Sequence, residues 1–75
     1  MKFEIEFCIK WNYHPEFDRV SKIIQTVTSD AEIIENPKPP RTGAFEVILD
    51  GKTVYSKFTT NTFPTEHDVN SWLSG

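Results

Sequence analysis

The sequence contains only one cysteine, Cys8, in 75 residues. A single cysteine excludes intramolecular disulfides, and with them the small secreted scaffolds that disulfides hold together. The sequence also lacks long apolar runs: none exceeds three residues, too few for a membrane span or for the apolar centre of a signal peptide. These absences predict a soluble protein in the reducing cytoplasm, with no membrane partner.

An excess of positive charge is also missing. The formal net charge is -3 and the pI is about 5.2, which offers no electrostatic match to a phosphate backbone. We therefore expect no nucleic-acid partner. Hydrophobic residues make up 37% of the chain and aromatic residues 13%, so the chain can form a core. Its length leaves room for one domain, residues 1–75.

Polar and apolar residues alternate over residues 2–10, the period-two pattern of a strand with one buried face. This pattern predicts that four apolar side chains point inward: Phe3, Ile5, Phe7 and Ile9. By the same parity, Cys8 belongs to the polar side of the sheet, near the end of the strand. Pro15 then favours a helix start, and apolar residues at spacings of three and four predict a helix over about 15–28.

The second half of the chain reads as strands and a short helix. Residues 31–35 are rich in β-branched side chains and predict a strand, whereas the prolines of residues 36–41 require a loop. Asp50-Gly51 joins the predicted strands 44–49 and 52–58 as a two-residue hairpin turn. Val54, Ser56 and Phe58 share one face of the second arm. Thr65 is placed to cap a last helix.

The predicted element order is β-α-β-β-β-α. The βαβ unit makes its two strands parallel, and the hairpin adds antiparallel ones, which gives a four-stranded mixed sheet. Since the first strand has one polar face, both helices should cover the other face, in a two-layer α/β sandwich. The predicted core consists of Phe3, Ile5, Phe7, Phe17, Val20, Ile24, Phe45, Val47 and Trp72.

Cys8 is the candidate catalytic residue. It ends a strand that leads into a helix, where backbone N–H groups and the helix dipole can stabilise a thiolate. Lys10 and His14 would add to this effect, and Glu4 and Glu6 would oppose it. The alternative is that a lone cysteine is a small apolar filler.

Residues 8–17 resemble the strand-to-helix segment of the selenoprotein W-like (Rdx) family. Members show a cysteine, two residues, then selenocysteine or cysteine, followed by residues that correspond to Tyr13, Pro15 and Phe17. Residues 42–47 are similar to the start of the family's hairpin. The resemblance spans essentially the whole chain.

The resemblance implies a thioredoxin-like fold and thiol redox chemistry through a CxxC or CxxU pair, with a role in cell redox homeostasis. Here the second redox position is Trp11, so the motif is CxxW, and no other cysteine can resolve a mixed disulfide. The candidate binding residues around Cys8 are Trp11, Tyr13, His14, Thr42 and Gly43.

Three interpretations of Cys8 remain open. The first is monothiol chemistry, in which Cys8 forms a mixed disulfide with glutathione or a protein thiol. The second is a non-catalytic protein-binding module that uses the loop from Cys8 to Tyr13. The third is an inert cysteine. Whether the protein is an enzyme stays open, and we expect no metal site, since Cys8, His14 and His67 lack the clustered spacing of zinc ligands, and no resident cofactor.

Overall fold

The computed structural model describes residues 1–74. The helices and strands follow the predicted order, with one additional short helix: β1 (Lys2–Phe7), α1 (His14–Val27), β2 (Glu32–Glu35), β3 (Phe45–Leu49), β4 (Lys52–Ser56), α2 (Lys57–Thr60) and α3 (Glu66–Leu73). The predicted α/β class is confirmed.

The strands form one four-stranded mixed sheet in the order β2-β1-β3-β4. β1 pairs in parallel with β2, and the pairs β1–β3 and β3–β4 are antiparallel. Helices α1 and α3 contact each other and share one core with the sheet. The predicted two-layer sandwich with both of these helices on one face is therefore confirmed.

The core matches most of the prediction. Seven of the nine predicted side chains are fully buried: Phe3, Ile5, Phe7, Val20, Ile24, Phe45 and Val47. Phe17 and Trp72 are partly buried and pack against this cluster. Val69 of α3 and Tyr55 of β4 complete it, with the Tyr55 and Trp72 ring centroids 5.8 Å apart.

The first strand is shorter than predicted. β1 ends at Phe7, and Ile9, predicted to point inward, is 60% exposed. The alternation stops because the backbone turns: Asn12 N–H donates to the Ile9 carbonyl at 3.0 Å, and Asn12 has the left-handed φ of 56°. Asparagine tolerates this conformation better than most residues.

The hairpin turn is confirmed. Asp50 and Gly51 have φ values of 49° and 86°, as a two-residue turn with positive φ at both central positions requires. The predicted face of the second arm is wrong, because β4 contains a bulge. Val47 pairs with Tyr55 and Ile48 with Thr53, which leaves Val54 as the extra residue. The bulge therefore brings Tyr55 to the core side.

The second arm also ends before residue 58. Ser56 closes β4, and its hydroxyl accepts a hydrogen bond from Thr59 N–H at 3.3 Å, which caps α2. Phe58 therefore lies on a helical turn and is 48% exposed. Side-chain capping by serine competes locally with continuation of the strand.

The capping residue predicted for the last helix is confirmed at Thr65. Its hydroxyl accepts a hydrogen bond from Asp68 N–H at 3.1 Å, and the Asp68 carboxylate accepts one from Thr65 N–H at 2.9 Å. This reciprocal pair is a capping box. Within residues 1–74, no helix has the length and apolar character needed to cross a membrane.

Candidate functional site

The connection between β2 and β3 crosses the end of β1, because these two strands flank β1 in the sheet. We call residues 36–44 the crossing segment. On the β2 side, Asn36 N–H donates to the Ile5 carbonyl at 2.9 Å, and its side-chain oxygen accepts from Phe7 N–H at 2.8 Å. On the β3 side, Cys8 N–H donates to the Ala44 carbonyl at 2.9 Å. The crossing segment is thus hydrogen-bonded to β1 at its first residue and to Cys8 at its last.

Arg41 holds the middle of the crossing segment against Glu6. The guanidinium donates to both Glu6 carboxylate oxygens, at 3.0 and 2.9 Å, and Arg41 backbone N–H donates at 2.7 Å. The side-chain hydrogen bonds from Arg41 lower the pKa of Glu6, although partial burial opposes them by raising it. Since Glu6 alternates with the core residues of β1, the crossing segment lies over the sheet face that the long helices leave open.

Cys8 is 1% exposed, although its parity assigns it to the polar side of the sheet. Cys8 lies between the crossing segment, where the Ala44 carbonyl accepts its N–H, and the Trp11 loop. The Cys8 sulfur accepts a hydrogen bond from Trp11 N–H at 3.3 Å, and the Cys8 carbonyl accepts one from Tyr13 N–H at 3.0 Å. The loop before α1 therefore directs a backbone donor at the thiol.

The Trp11 side chain lies on the crossing segment, at Gly43, and is 56% exposed. A Cβ atom added to Gly43 would be 2.9 Å from Cζ3 of the indole ring. Gly43 also has a φ of 79°, which non-glycine residues rarely adopt. Thr42 is the exposed residue beside it. Three of the predicted binding residues are therefore brought together.

The Tyr13 ring lies near Trp11 and near two residues, Phe63 and Lys57, that the sequence does not indicate as binding residues. Its ring centroid lies 6.2 Å from that of Trp11 and 4.7 Å from that of Phe63. The Lys57 ammonium lies 5.4 Å from the centroids of both Tyr13 and Phe63, within the range of cation–π attraction. The sequence predicts residues 52–58 as a strand, so it gives no indication that Lys57 faces Tyr13, and no local pattern indicates Phe63.

Arg41 and Phe58 form a second cation–π pair, with the guanidinium carbon 4.9 Å from the ring centroid. Sequence reasoning placed Arg41 in a loop and Phe58 on the same strand face as Val54 and Ser56. The contact arises because α2 turns the chain out of the sheet after Ser56. No local pattern in the sequence indicates it.

His14 lies apart from these residues. Its Nδ1 atom is 3.2 Å from the Asp18 carboxylate and its Nε2 atom 3.8 Å from that of Glu35. Its ring packs edge-on against Phe7, at a centroid distance of 5.6 Å. The structure therefore does not bring His14 to Trp11. The described part of the chain holds no cluster of three or more side chains suited to a metal ion.

Solved structures with the same fold support the class of the protein. The chain is similar to a crystal structure of a selenoprotein W-related protein from Vibrio cholerae, with a TM-score of 0.75, 20% identity, and coverage of 97% of this chain and 96% of that one. It is also similar to a crystal structure from Bordetella parapertussis, with a TM-score of 0.70, 18% identity, and coverage of 96% and 91%. The fold is thus thioredoxin-like.

The family follows from a match over nearly the full length. Residues 2–73 match the model of the Rdx family, so the chain belongs to the Rdx family. No curated protein matches the sequence. The resemblance drawn from residues 8–17 is therefore confirmed, and it places the protein in a redox-related family.

Proposed function

We propose that the protein acts as a monothiol redox protein, with Cys8 exchanging with glutathione or a protein thiol. The observation that carries the proposal is the hydrogen bond from Trp11 N–H to the Cys8 sulfur, at 3.3 Å. A backbone donor aimed at sulfur stabilises negative charge there, and the thiolate is the form that attacks disulfides. The proposal requires no metal and no resident cofactor.

The exchange has two steps. The Cys8 thiolate attacks one sulfur of glutathione disulfide, forms the mixed disulfide and releases one glutathione thiolate. A second thiolate from solution then attacks the glutathione sulfur of the mixed disulfide, forms a new disulfide with that glutathione and releases Cys8 as its thiolate. Trp11 has no sulfur, so the second thiol must be external, as a reducing cytoplasm would supply it.

Access to the sulfur controls the first step. Because Cys8 is 1% exposed, attack requires local opening of the Trp11 loop or of the crossing segment. The indole on Gly43 is one contact that must separate. The reaction should therefore be slower in the native protein than for a solvent-exposed thiol, and it should accelerate when this contact is weakened.

The direct test is treatment with glutathione disulfide followed by mass spectrometry. The native protein should gain one glutathione, and the Cys8→Ser variant should gain none. Alkylation of Cys8 over a range of pH, in native and urea-unfolded protein, measures thiolate reactivity separately from access. Absence of the glutathione adduct at every glutathione ratio would contradict the proposal.

A second candidate function is protein binding through the Trp11 loop. The observation that favours it is the contrast between Trp11, which is 56% exposed, and Cys8, which is 1% exposed. Contiguous exposed apolar side chains mark interaction sites, and tryptophan is among the residues most enriched at binding hot spots. Cys8→Ser separates the two functions: it should abolish the glutathione adduct and leave binding unchanged.

A further inference from the structure

The residues around Trp11 form one continuous surface. We call Trp11, Tyr13, Arg41, Lys57 and Phe58 the aromatic-cationic surface. The ring centroids of Trp11 and Tyr13 are 6.2 Å apart, and the Lys57 ammonium lies 5.4 Å from the Tyr13 centroid. Phe58 follows Lys57 and lies 4.9 Å beneath the Arg41 guanidinium carbon.

This end of the molecule concentrates exposed apolar side chains. The exposed large hydrophobic residues described are Met1, Ile9, Trp11, Val27 and Phe58. Trp11 and Phe58 belong to the aromatic-cationic surface, and Ile9 precedes Trp11 in the same loop. Tryptophan, tyrosine and arginine are also the residues that most often dominate the binding energy of protein interfaces.

The charge that this surface presents to solvent is positive, although the chain as a whole has a net charge of -3. Glu46 is 8% exposed and its carboxylate accepts the Lys57 backbone N–H at 2.8 Å. Glu6 is bound by Arg41. The described ion pairs include neither Lys57 nor Lys10, which precedes Trp11 in the chain. No described carboxylate therefore neutralises these two charges.

We propose that the aromatic-cationic surface docks an acidic segment of a protein partner, with an apolar residue of that segment seated between Trp11 and Phe58. Carboxylates on either side of this residue would meet Lys57 and Lys10, because the Arg41 guanidinium is already bound to Glu6. The inference rests on the second candidate function and adds the chemistry of the partner. Repulsion from the distant negative charges of the chain is screened beyond about 8–10 Å at physiological salt, so a short acidic peptide gains the local attraction of the lysines.

The experiment selects random peptides displayed on phage against the full chain in excess reducing agent, so that disulfide capture cannot contribute. The selected peptides should be enriched in Asp and Glu around Leu, Phe or Trp. Fluorescence anisotropy of the labelled peptides should show about tenfold weaker binding to Trp11→Ala. Lys57→Gln should weaken binding severalfold and reduce its salt dependence. The matched control Lys22→Gln, an exposed lysine on α1, should leave binding unchanged.

Each outcome decides one part of the inference. Trp11-dependent peptides without acidic enrichment would overturn the acidic partner and keep the binding function. Failure to select any Trp11-dependent peptide would overturn both. Tighter binding of a labelled single-stranded oligonucleotide than of the selected peptides would also overturn the proposal. Circular dichroism and Trp11→Phe, which keeps an aromatic ring, separate loss of binding from loss of folding. None of these results depends on the reactivity of Cys8.

Discussion

The indole ring of Trp11 occupies the space that a side chain at Gly43 would need. A Cβ atom there would be 2.9 Å from Cζ3 of the ring, closer than such atoms pack. Gly43 also has a φ of 79°. A substitution at Gly43 therefore encounters two separate penalties, one from the backbone and one from the ring, and these can be measured apart.

Gly51 supplies the matched control, because it has a φ of 86° and no heavy atom within 4 Å of its added Cβ. We expect Gly51→Ala to cost about 1 kcal/mol of unfolding free energy, from the left-handed backbone alone. Gly43→Ala should cost about 1–3 kcal/mol more, from the clash with the indole. Urea denaturation measures both.

The clash also predicts coupling. In a Trp11→Ala background, the loss of unfolding free energy caused by Gly43→Ala should fall to about that caused by Gly51→Ala, since the indole ring is absent. If Gly43→Ala and Gly51→Ala cost the same in the chain with Trp11 intact, the indole is not held on Gly43 in solution.

Phe7 tests the inward assignment of β1. It is 1% exposed and stacks on Phe17 at a centroid distance of 4.6 Å. Phe7→Ala should cost about 3–5 kcal/mol of unfolding free energy, which is enough to unfold a domain of this size. The control is Phe58→Ala: Phe58 is 48% exposed, so its loss should cost under about 1 kcal/mol. A melting temperature for Phe7→Ala close to that of the wild type would contradict the burial of β1.

Local periodicity predicted the parts of the fold that one face or one turn specifies. The alternation of β1, the apolar stripe of α1, and Asp50-Gly51 each carry their signal within a few residues. The bulge at Val54 and the start of α2 at Lys57 do not. The bulge accompanies the packing of Tyr55 in the core, and α2 begins where Ser56 caps it.

The sequence predicted which loop carries the candidate site, but not which side chains come together around it. The resemblance directed attention to Cys8, Trp11 and Gly43, and the structure brings Trp11 onto Gly43. The burial of Cys8 could not be foreseen from parity, because it depends on the strand order. The chain must cross the end of β1 only when β2 and β3 flank β1. The sequence of a single strand does not indicate the order of strands in the sheet.

Glu6 makes the stability of the crossing segment depend on pH. Hydrogen bonds from Arg41 lower the folded-state pKa of Glu6, so the pair stabilises the native state above the ordinary carboxyl pKa of about 4.3. This stabilisation should be lost as the pH falls from there through the lowered folded pKa. Glu6→Gln should accordingly lower the melting temperature at neutral pH, and the difference from the wild type should vanish in acid.

The control for Glu6 is Glu4→Gln, on the same face of β1. Glu4 takes part in none of the ion pairs described. Its substitution should produce a smaller change in melting temperature at neutral pH. Equal effects of the two substitutions across the pH range would show that the contact with Arg41 does not stabilise the native state.

Position 11 decides whether the protein can close an internal disulfide. The Trp11 N–H lies 3.3 Å from the Cys8 sulfur, so a thiol at position 11 would start within one turn of backbone from its partner. Under glutathione disulfide, Trp11→Cys should lose two hydrogens and retain no glutathione, because the new thiol resolves the mixed disulfide. Trp11→Ser, which opens the same space without a thiol, should retain the glutathione adduct. Mass spectrometry distinguishes these products, and reduction should reverse both. A stable adduct carrying one glutathione on each thiol of Trp11→Cys would show that the loop holds position 11 too far from Cys8, which the hydrogen bond to the sulfur argues against.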